Sequence, residues 1–594
     1  MQQHLEGTGL VARQILVSQE MFQKKSPSHP VDDASAFAIP ANAAEPAQVF
    51  EGTLTLDDVS TNGNFTLLGD IFKLVPNTDS PWKHLAPFQF EFVQSGNYLI
   101  PIQQGLAIVE NSSTWNYIVG PGRVWHEQSD GKYMRVAFPF ALVQRNQNCV
   151  HNGEMTFLFS DTSTPNISNV YYQITQETCY PMKFNLWGMI GATYTPHKVE
   201  NAADIQRKHQ EELVNRLPTK PFSDLKKDFP NSGVDLPAFS AAYKHPENVT
   251  TYGLIFKGTN YVADCPTRSG QYAFCADMRV PSYSIAKSVF AGVALMRLGE
   301  RYSPAVYDLK IKDFIPQSSI RGKWSDTTFG NASDMATGNF NSPEYESDED
   351  SSTNDAFLIA ESYETKLTDA FAFHAHSVTA GTKWVYQSAA TYILTQAMNH
   401  FWQQRGGSGD IFTMVRDDVF EPLHFSQGGL TTIRTNHSPT GAPTGYYGLF
   451  FNQDDIAKVG NFLNTSEGMI GDKRVLARDR LAEALFRSAN AGQVGVAIEG
   501  LKSAPLLGAM PRKGDSEKAQ STRRYSHGFW GRKITHSEFS AFPCDYWISF
   551  MSGYGGNIVM LLPDGATFYI FSDEMEFPWQ PAVNEINKLA PLCK

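Results

Sequence analysis

Residues 281–290 read Pro281-Ser282-Tyr283-Ser284-Ile285-Ala286-Lys287-Ser288-Val289-Phe290, and they decide how the rest of the chain is interpreted. Apolar residues recur from here at helical spacing, at Ile285, Val289, Val293 and Met296. Ser284 and Lys287 are three residues apart, so on a helix they share one face. In the first turn, free backbone N–H groups and the helix dipole favour negative charge, as a serine alkoxide requires. Lys287 is a useful base beside this serine only if burial lowers its pKa.

The Ser-x-x-Lys pattern is a weak signal when it stands alone. A second copy, Ser223-Asp224-Leu225-Lys226, lies in a polar stretch that has no apolar helix behind it. The alternative interpretation of Ser284 is therefore a helix-capping serine beside a solvated lysine. Motifs further along the chain have to decide between the two interpretations.

Length and charge limit the classes of protein to consider. A chain of 594 residues is too long for one ordinary core, and about two to four domains are expected. The formal net charge is −12 and there is no basic run, so nucleic acids and anionic membranes are not expected as partners. No apolar run is long enough to span a membrane. The N-terminal residues are polar, so we expect no secretory signal within them.

The six cysteines include no Cys-x-x-Cys pair, so a zinc site is not expected. Their even number and local spacing predict three disulfides, Cys149–Cys179, Cys265–Cys275 and Cys544–Cys593. Such bridges indicate an oxidising compartment, either periplasmic or extracellular. The alternative is six free thiols in a cytosolic protein.

Composition along the chain divides it into four expected segments. They are a poorly structured segment 1–50, an all-β accessory domain 51–217 ending in a polar helix, a linker 218–233, and a domain 234–594 that carries Ser284. We expect no chemistry in the β domain. The acidic, serine-rich stretch 341–356 is expected to be a solvated excursion.

Two motifs downstream complete a pattern with the Ser-x-x-Lys pair. They are Tyr386-Gln387-Ser388 and Gly553-Tyr554-Gly555-Gly556-Asn557. In this order the three motifs resemble those of the serine β-lactamase-like hydrolases, most closely the 6-aminohexanoate-dimer hydrolase and family VIII-type esterase branch. The resemblance covers the chain from about residue 245 to 590 and does not include the N-terminal β region.

The resemblance implies an α+β fold like that of β-lactamases and penicillin-binding proteins. This fold has a five-stranded antiparallel sheet flanked by helices, plus an all-α lobe. The order of predicted elements agrees with it, because strands bracket a long helical middle. An N-terminal all-β accessory domain would be an addition to that fold. The resemblance implies neither a cofactor nor a metal.

The resemblance also implies acyl transfer. Ser284 would attack a carbonyl carbon and form an acyl-enzyme, with Lys287 as general base and Tyr386 as proton relay. The backbone N–H groups of Ser284 and Tyr554 would form the oxyanion hole. The remaining residues are expected to bind substrate, and they are Ser388, Gly553, Gly555 and Asn557. Ser388 has the alternative of orienting Lys287.

The third motif departs from the family pattern. Met551-Ser552-Gly553 stands where β-lactamases and penicillin-binding proteins carry Lys-Thr-Gly, which binds a substrate carboxylate. We therefore expect a small-molecule carboxylic ester or an unusual amide as substrate. No Gly-x-Ser-x-Gly occurs, so the usual nucleophile elbow of α/β-hydrolases is not expected. The alternative function is a penicillin-binding-like module that is acylated without efficient turnover, and the sequence indicates no oligomeric state.

Overall fold

The computed structural model describes the chain except for residues 1–15, 17, 24, 34–35, 58, 60–62, 162–164, 499–521, 538–541, 543 and 593–594. Within the described residues the fold is α+β, which confirms the predicted fold class. One large sheet lies in residues 52–196, and a second joins strands of residues 219–262 to strands of residues 496–572. In the part of the chain described, no helix has the length and apolar character needed to cross a membrane.

The first sheet is antiparallel. Its described strands are β1 (Gly52–Leu56), β2 (Asn64–Asp70), β3 (Gln89–Ser95), β4 (Tyr98–Pro101), β5 (Trp115–Val119), β6 (Gly122–Trp125), β7 (Met134–Gln144), β8 (Val150–Ser160), β9 (Asn166–Ile167), β10 (Val170–Thr178), β11 (Met182–Ile190) and β12 (Ala192–Pro196). They pair in the order β12-β1-β3-β4-β6-β7-β8-β10-β11-β2, with β5 on β7 and β9 on β8.

The long strands β7 and β8 are buried on both faces. Phe138 and Phe157 belong to the core of the first sheet. Val143 and Val150 instead belong to a core that continues into the helices beyond residue 284. The first sheet and the rest of the molecule are therefore joined by continuous apolar packing.

The described part of residues 16–50 packs on this sheet, although its composition predicted little structure. Val31 and Phe37 are buried, and the Val31 N–H donates to Gln173 Oε1 at 2.9 Å. Apolar residues in this segment stand singly among proline and serine. Their spacing follows neither a helical nor a strand period, so the sequence does not indicate that they pack on one surface.

The second sheet runs through the C-terminal half of the molecule. The remaining strands, in chain order, are β13 (Thr219–Pro221), β14 (Val249–Phe256), β15 (Thr259–Val262), β16 (Pro266–Thr267), β17 (Gly270–Gln271), β18 (Val280–Pro281), β19 (Asn339–Phe340), β20 (His376–Ser377), β21 (Phe450–Phe451), β22 (Met469–Ile470), β23 (Lys473–Arg474), β24 (Val496–Ala497), β25 (Arg523–Ser526), β26 (Phe529–Ile534), β27 (Tyr546–Gly553), β28 (Asn557–Leu561) and β29 (Thr567–Ser572). Strands β16 to β23 form separate short pairs.

The described strands of the second sheet follow the order β13-β15-β14-β29-β28-β27-β26-β25-β24, and among these strands only β13 and β15 pair in parallel. The sheet is thus wider, in the described residues, than the five strands that the resemblance implied. Strand β13 and the short helix over Asp224–Asp228 lie within the expected linker 218–233. Part of that stretch is therefore built into the fold, because its backbone extends the edge of the sheet.

Helices cover both faces of the second sheet. The α-helices of the described residues, in chain order through the whole fold, are α1 (Ser18–Met21), α2 (Ala202–Val214), α3 (Asp224–Asp228), α4 (Val293–Arg301), α5 (Phe329–Ser333), α6 (Ser352–Ile359), α7 (Tyr363–Ala370), α8 (Ser388–Gln404), α9 (Ile411–Val415), α10 (Gln453–Gly460), α11 (Arg478–Ala484) and α12 (Gln580–Leu589). Of these, α1 and α2 pack on the first sheet. Strand β28 shows why two layers form, since Ile558 and Met560 face the α12 side and Val559 and Leu561 face the core of α4 and α8. The predicted helical middle lies on that second face.

Two of the predicted disulfides are present. Cys149–Cys179 links the start of β8 to the end of β10, and Cys265–Cys275 closes the loop before the Ser284 segment. Cys544 is also disulfide-bonded. Cys593, its predicted partner, lies outside the described residues.

Candidate active site

Ser284 lies in the first turn of the helical segment that follows strand β18. The Ser282 N–H donates to the Leu449 carbonyl at 2.9 Å, and the Lys287 N–H donates to the Ser284 carbonyl at 3.0 Å. Residues 287–292 form a wider π-type turn before α4 begins. The predicted helix is present, with Ser284 partly exposed and Lys287 only 2% exposed.

The amine of Lys287 is enclosed by hydroxyls and aromatic rings. Its Nζ lies 2.6 Å from Ser284 Oγ and 2.9 Å from Ser388 Oγ. The rings of Tyr386 and Tyr446 have their centroids 4.9 Å and 5.9 Å from the same nitrogen. Such a site offers hydrogen bonds to the amine without a carboxylate in direct contact.

Burial lowers the pKa of Lys287 to about 8, against the opposing attraction of the Glu349 and Glu346 carboxylates. Desolvation disfavours the ammonium form because charge is costly in a low-dielectric interior. An appreciable fraction of the amine is therefore uncharged at mildly alkaline pH.

Tyr386 stands just before helix α8, and its phenol lies near enough to the side chain of Ser284 for that side chain to lower the pKa of Tyr386. Its ring stacks on Trp530, with centroids 5.4 Å apart, and contacts Tyr525. Burial raises the pKa of Tyr386 well above its ordinary value, and the Ser284 side chain opposes this shift only partly. Lys287 and Tyr386 therefore both lie beside the side chain of Ser284, and the phenol keeps its proton at neutral pH.

The third motif forms the turn between β27 and β28, close to the turn at Ser282–Ser284. A Cβ atom on Gly553 would lie 2.7 Å from the Ser282 carbonyl oxygen, so only glycine allows this approach. Gly555 has a φ of 88°, a left-handed conformation that glycine adopts without strain. Tyr554 between them is 37% exposed, and the centroid of its ring lies 5.7 Å from that of Tyr283.

Asn557 has a different environment from the substrate contact expected of it. Its side chain is fully buried, its Nδ2 donates to the Tyr554 carbonyl at 2.9 Å, and its Oδ1 accepts from the Ser572 N–H at 2.9 Å. Both polar atoms thus hold the turn and the neighbouring strand. A substrate contact by Asn557 stays a prediction, and in this structure its amide bonds to the backbone.

Glu349 is a site residue that the sequence analysis missed. It lies in the acidic stretch 341–356, yet Ser388 donates to it twice, from the backbone N–H to Oε2 at 2.7 Å and from Oγ to Oε1. The stretch is not simply a solvated excursion, because the buried Asp348 holds it in place. Asp348 accepts hydrogen bonds from the Asn341 and Ser342 N–H groups and from Gln387 Nε2. A run of acidic residues has no hydrophobic periodicity, so the sequence could not predict that this stretch is anchored.

Asn148 is the second missed residue, and it comes from the sheet in which no chemistry was expected. It is buried in the β7–β8 connection, and its Oδ1 accepts from the Tyr283 N–H at 2.8 Å and from the Ser282 hydroxyl at 3.0 Å. The same oxygen accepts from the Gly448 N–H at 2.9 Å. Tyr283 has a φ of 40°, which is strained for a residue other than glycine. The first sheet therefore helps to hold the strained turn that presents Ser284.

A buried charged network supports the other side of the helical segment that begins at Ser284. Ser288 Oγ donates to the Gly528 carbonyl at 2.6 Å, at the tip of the β25–β26 hairpin. The adjacent His527 donates its backbone N–H to Asp334 at 2.7 Å, and its Nε2 lies 3.0 Å from a Glu483 oxygen. Burial alone would lower the pKa of His527, but the two carboxylates raise it to about 9. The imidazolium thus ties the hairpin tip to two helices.

Among the described residues, no group of three or more His, Cys, Asp or Glu side chains could hold a metal ion.

Comparisons with known proteins gave similarity in structure but not in sequence. No protein-family model matches the chain, and no curated protein matches it. A family VIII carboxylesterase is similar at 15% identity over 63% of this chain and 98% of that one, with a TM-score of 0.40. A β-lactamase/D-alanine carboxypeptidase from Yersinia pestis is similar at 14% identity over 62% and 99%, with a TM-score of 0.41.

A protein assigned as a 6-aminohexanoate-dimer hydrolase from Bacillus anthracis is similar at 14% identity over 62% of this chain and 80% of that one, with a TM-score of 0.39. Two of these structural neighbours bear the names of the branch that the sequence motifs resemble, 6-aminohexanoate-dimer hydrolase and family VIII esterase. Their TM-scores lie below 0.5, so these similarities carry no argument about function.

The Asn148→Ala substitution tests how the first sheet holds the turn at Ser282–Ser284. It leaves the buried N–H groups of Tyr283 and Gly448 without their acceptor, and each unmade bond costs about 1–3 kcal/mol. We expect the midpoints of thermal and urea unfolding to fall clearly. Asn166→Ala, at an exposed position of the same sheet, is the control and should change them little. Equal midpoints for both variants would contradict the bracing role.

The His527→Gln substitution tests the charged network through pH. Since the folded-state pKa of His527 is about 9 and the ordinary value is 6.5, its stabilisation is complete below about 6.5 and is lost as pH rises through about 9. The difference in unfolding midpoint between wild type and variant should therefore be large at pH 6 and small at pH 10. A difference that is constant with pH would show that the imidazolium charge is not responsible.

Proposed function

We propose that this protein is a serine hydrolase that cleaves a carboxylic ester or amide through an acyl-enzyme on Ser284. The observation that carries the proposal is the 2.6 Å contact between Ser284 Oγ and the buried Nζ of Lys287. A lysine whose hydrogen-bond partners are hydroxyls supports a role as base. Hydroxyls do not stabilise the ammonium as a bonded carboxylate would.

Acylation begins when Lys287 takes the proton of Ser284 as its oxygen attacks the substrate carbonyl carbon. The bond from that carbon to the leaving oxygen or nitrogen then breaks. Tyr386 donates its phenolic proton to the leaving group and regains one from Lys287. The high pKa of Tyr386, which burial causes, supports this role because the phenol starts out protonated. Deacylation runs the same path with water as the attacking group, which restores the Ser284 hydroxyl.

The oxyanion hole would consist of the backbone N–H groups of Ser284 and Tyr554. Two features support this assignment: Gly553 allows β27 to approach the nucleophile turn, and Gly555 turns the chain away after Tyr554. Donors of this kind typically contribute about 3–4 kcal/mol each to stabilising the transition state. Gly553 and Gly555 thus shape the substrate site through their backbone.

The substrate proposed is an uncharged ester or amide rather than one with a carboxylate beside the scissile bond. The third motif provides Ser552 in place of a lysine, and the Glu349 carboxylate stands close to Lys287. A substrate carboxylate would be repelled by this charge. Ser388 is assigned to orienting Lys287, because it is only 2% exposed and its hydroxyl is engaged by that amine.

We also propose a setting for this activity. The two disulfides are consistent with an oxidising compartment, so an extracellular or periplasmic location is proposed. We propose residues 234–594 as the hydrolase domain and residues 51–217 as the accessory domain, joined through residues 218–233.

Labelling with a fluorophosphonate tests the nucleophile. We expect wild type to be labelled at one serine and Ser284→Ala to be unlabelled. Two serines bond to the buried amine of Lys287, and of these Ser284 is partly exposed whereas Ser388 is only 2% exposed. The second Ser-x-x-Lys copy provides a matched control, and Ser223→Ala should be labelled like wild type. Labelling that persists in Ser284→Ala would show that the nucleophile is another residue. A burst with p-nitrophenyl esters that is not followed by turnover would favour the penicillin-binding-like alternative.

The pH dependence of ester hydrolysis tests the base. Because Lys287 must be uncharged and its pKa is about 8, kcat/KM should rise with pH through about 8 and level off above it. Lys287→Met should lower kcat by about 10²–10⁴-fold and remove this limb. Activity independent of pH between 6 and 9, after subtraction of uncatalysed hydrolysis, would exclude Lys287 as the base.

A further inference from the structure

A continuous chain of polar groups leads from the nucleophile into the acidic loop. It runs from Ser284 Oγ to Lys287 Nζ at 2.6 Å, then to Ser388 Oγ at 2.9 Å, and then to the carboxylate of Glu349. We propose that Glu349 is a positioning residue which, through Ser388, fixes the direction in which Lys287 presents its lone pair to Ser284. This inference rests on the proposed hydrolase function and adds a residue to it.

The direction follows from counting hydrogens. An ionised carboxylate only accepts hydrogen bonds, and a serine hydroxyl has one hydrogen to donate. Ser388 therefore gives its hydrogen to Glu349, so its oxygen can only accept from the amine of Lys287. A neutral amine has two hydrogens and one lone pair. With one N–H committed to Ser388, the lone pair is left for the hydroxyl hydrogen of Ser284.

Without the carboxylate, the hydroxyl of Ser388 is free to rotate. It can then donate its hydrogen to the lone pair of Lys287. A lone pair that accepts from Ser388 cannot at the same time take the proton of Ser284. Glu349 thus excludes an arrangement in which the base is occupied by the wrong hydroxyl.

The carboxylate of Glu349 is itself held firmly. Its Oε2 accepts from the backbone N–H of Ser388, the first residue of the long helix α8, where the helix dipole favours negative charge. The Glu349 carbonyl accepts from Asn354 Nδ2 at 2.8 Å. The adjacent Asp348 accepts from Gln387 Nε2 at 2.7 Å, next to Ser388. These hydrogen bonds therefore join the loop to the start of α8.

The Glu349 carboxylate also affects the protonation of Lys287, and this effect can be measured. Titratable groups near the amine of Lys287 are Glu349, Glu346 and the phenols of Tyr386 and Tyr446. The two carboxylates favour the ammonium form, while burial disfavours it and raises the pKa of Glu346 itself to about 8. Loss of the Glu349 charge should therefore make Lys287 easier to deprotonate, although it slows the reaction.

Glu349→Gln is the decisive variant, because one amide oxygen cannot replace two carboxylate acceptors. We expect kcat to fall by about tenfold to a hundredfold, as for small errors in alignment. The limb of kcat/KM that lies near pH 8 in wild type should move to lower pH. Glu344→Gln makes the same change at an exposed position of the same loop and should leave both quantities unchanged. A purely structural role would lower activity without moving the limb.

Ser388→Ala provides an independent test if Glu349→Gln folds poorly. It keeps the carboxylate but removes the hydroxyl that connects it to Lys287, so kcat should fall while the limb moves less. If Glu349 acts through Ser388, the double variant should be little slower than Ser388→Ala alone. Fully multiplicative losses would overturn the relay.

The results also separate this inference from the proposed function. Wild type that neither labels at Ser284 nor hydrolyses esters overturns both. Active wild type together with a Glu349→Gln variant that matches Glu344→Gln in rate and pH limb overturns only the role of Glu349. The positioning role of Glu349 is supported if Glu349→Gln unfolds at the wild-type temperature, has a lower kcat, and shows the pH limb of kcat/KM at lower pH.

Discussion

The burial of one lysine amine is the constraint on which the rest of the site depends. Removing an ammonium from water is costly unless the group is paired or loses its charge. Around Lys287 the protein provides hydroxyls and aromatic faces, and its carboxylates act on the amine without a direct bond. The amine is thereby kept close to the balance between its two protonation states. A group that has to take and return a proton in each cycle needs that balance.

Segments far apart in the chain meet to maintain this arrangement. Asn148 from the first sheet bonds to the turn before Ser284 across more than 130 residues, and Glu349 reaches Ser388 across 39. On the opposite side, the hairpin tip at Gly528 accepts from Ser288. The nucleophile segment is therefore held from three directions. Its strained φ at Tyr283 can persist because the surroundings fix it more strongly than the strain opposes it.

Much of the architecture was predictable because it depends on local patterns. The helix after Ser284, the hairpin of β28 and β29, and the helical middle follow from periodicity and turn residues. The pairing of Cys149 with Cys179 followed from spacing. The inward side chain of Asn557 and the anchored acidic loop did not, since both depend on which strand or helix lies opposite. Similarly, the single apolar residues before residue 50 gave no sign of the sheet that covers them.

The sequence by itself determined which groups are available. They are a serine and a lysine one helical turn apart, then a tyrosine, and then a turn flanked by glycines. Spacing along a helix fixes such neighbours because 3.6 residues per turn is a property of the backbone. Only the tertiary structure decided the charge of the lysine and the direction of its hydrogen bonds. Those depend on desolvation and on acceptors brought in by distant loops, and no pattern of residue types in one segment encodes either.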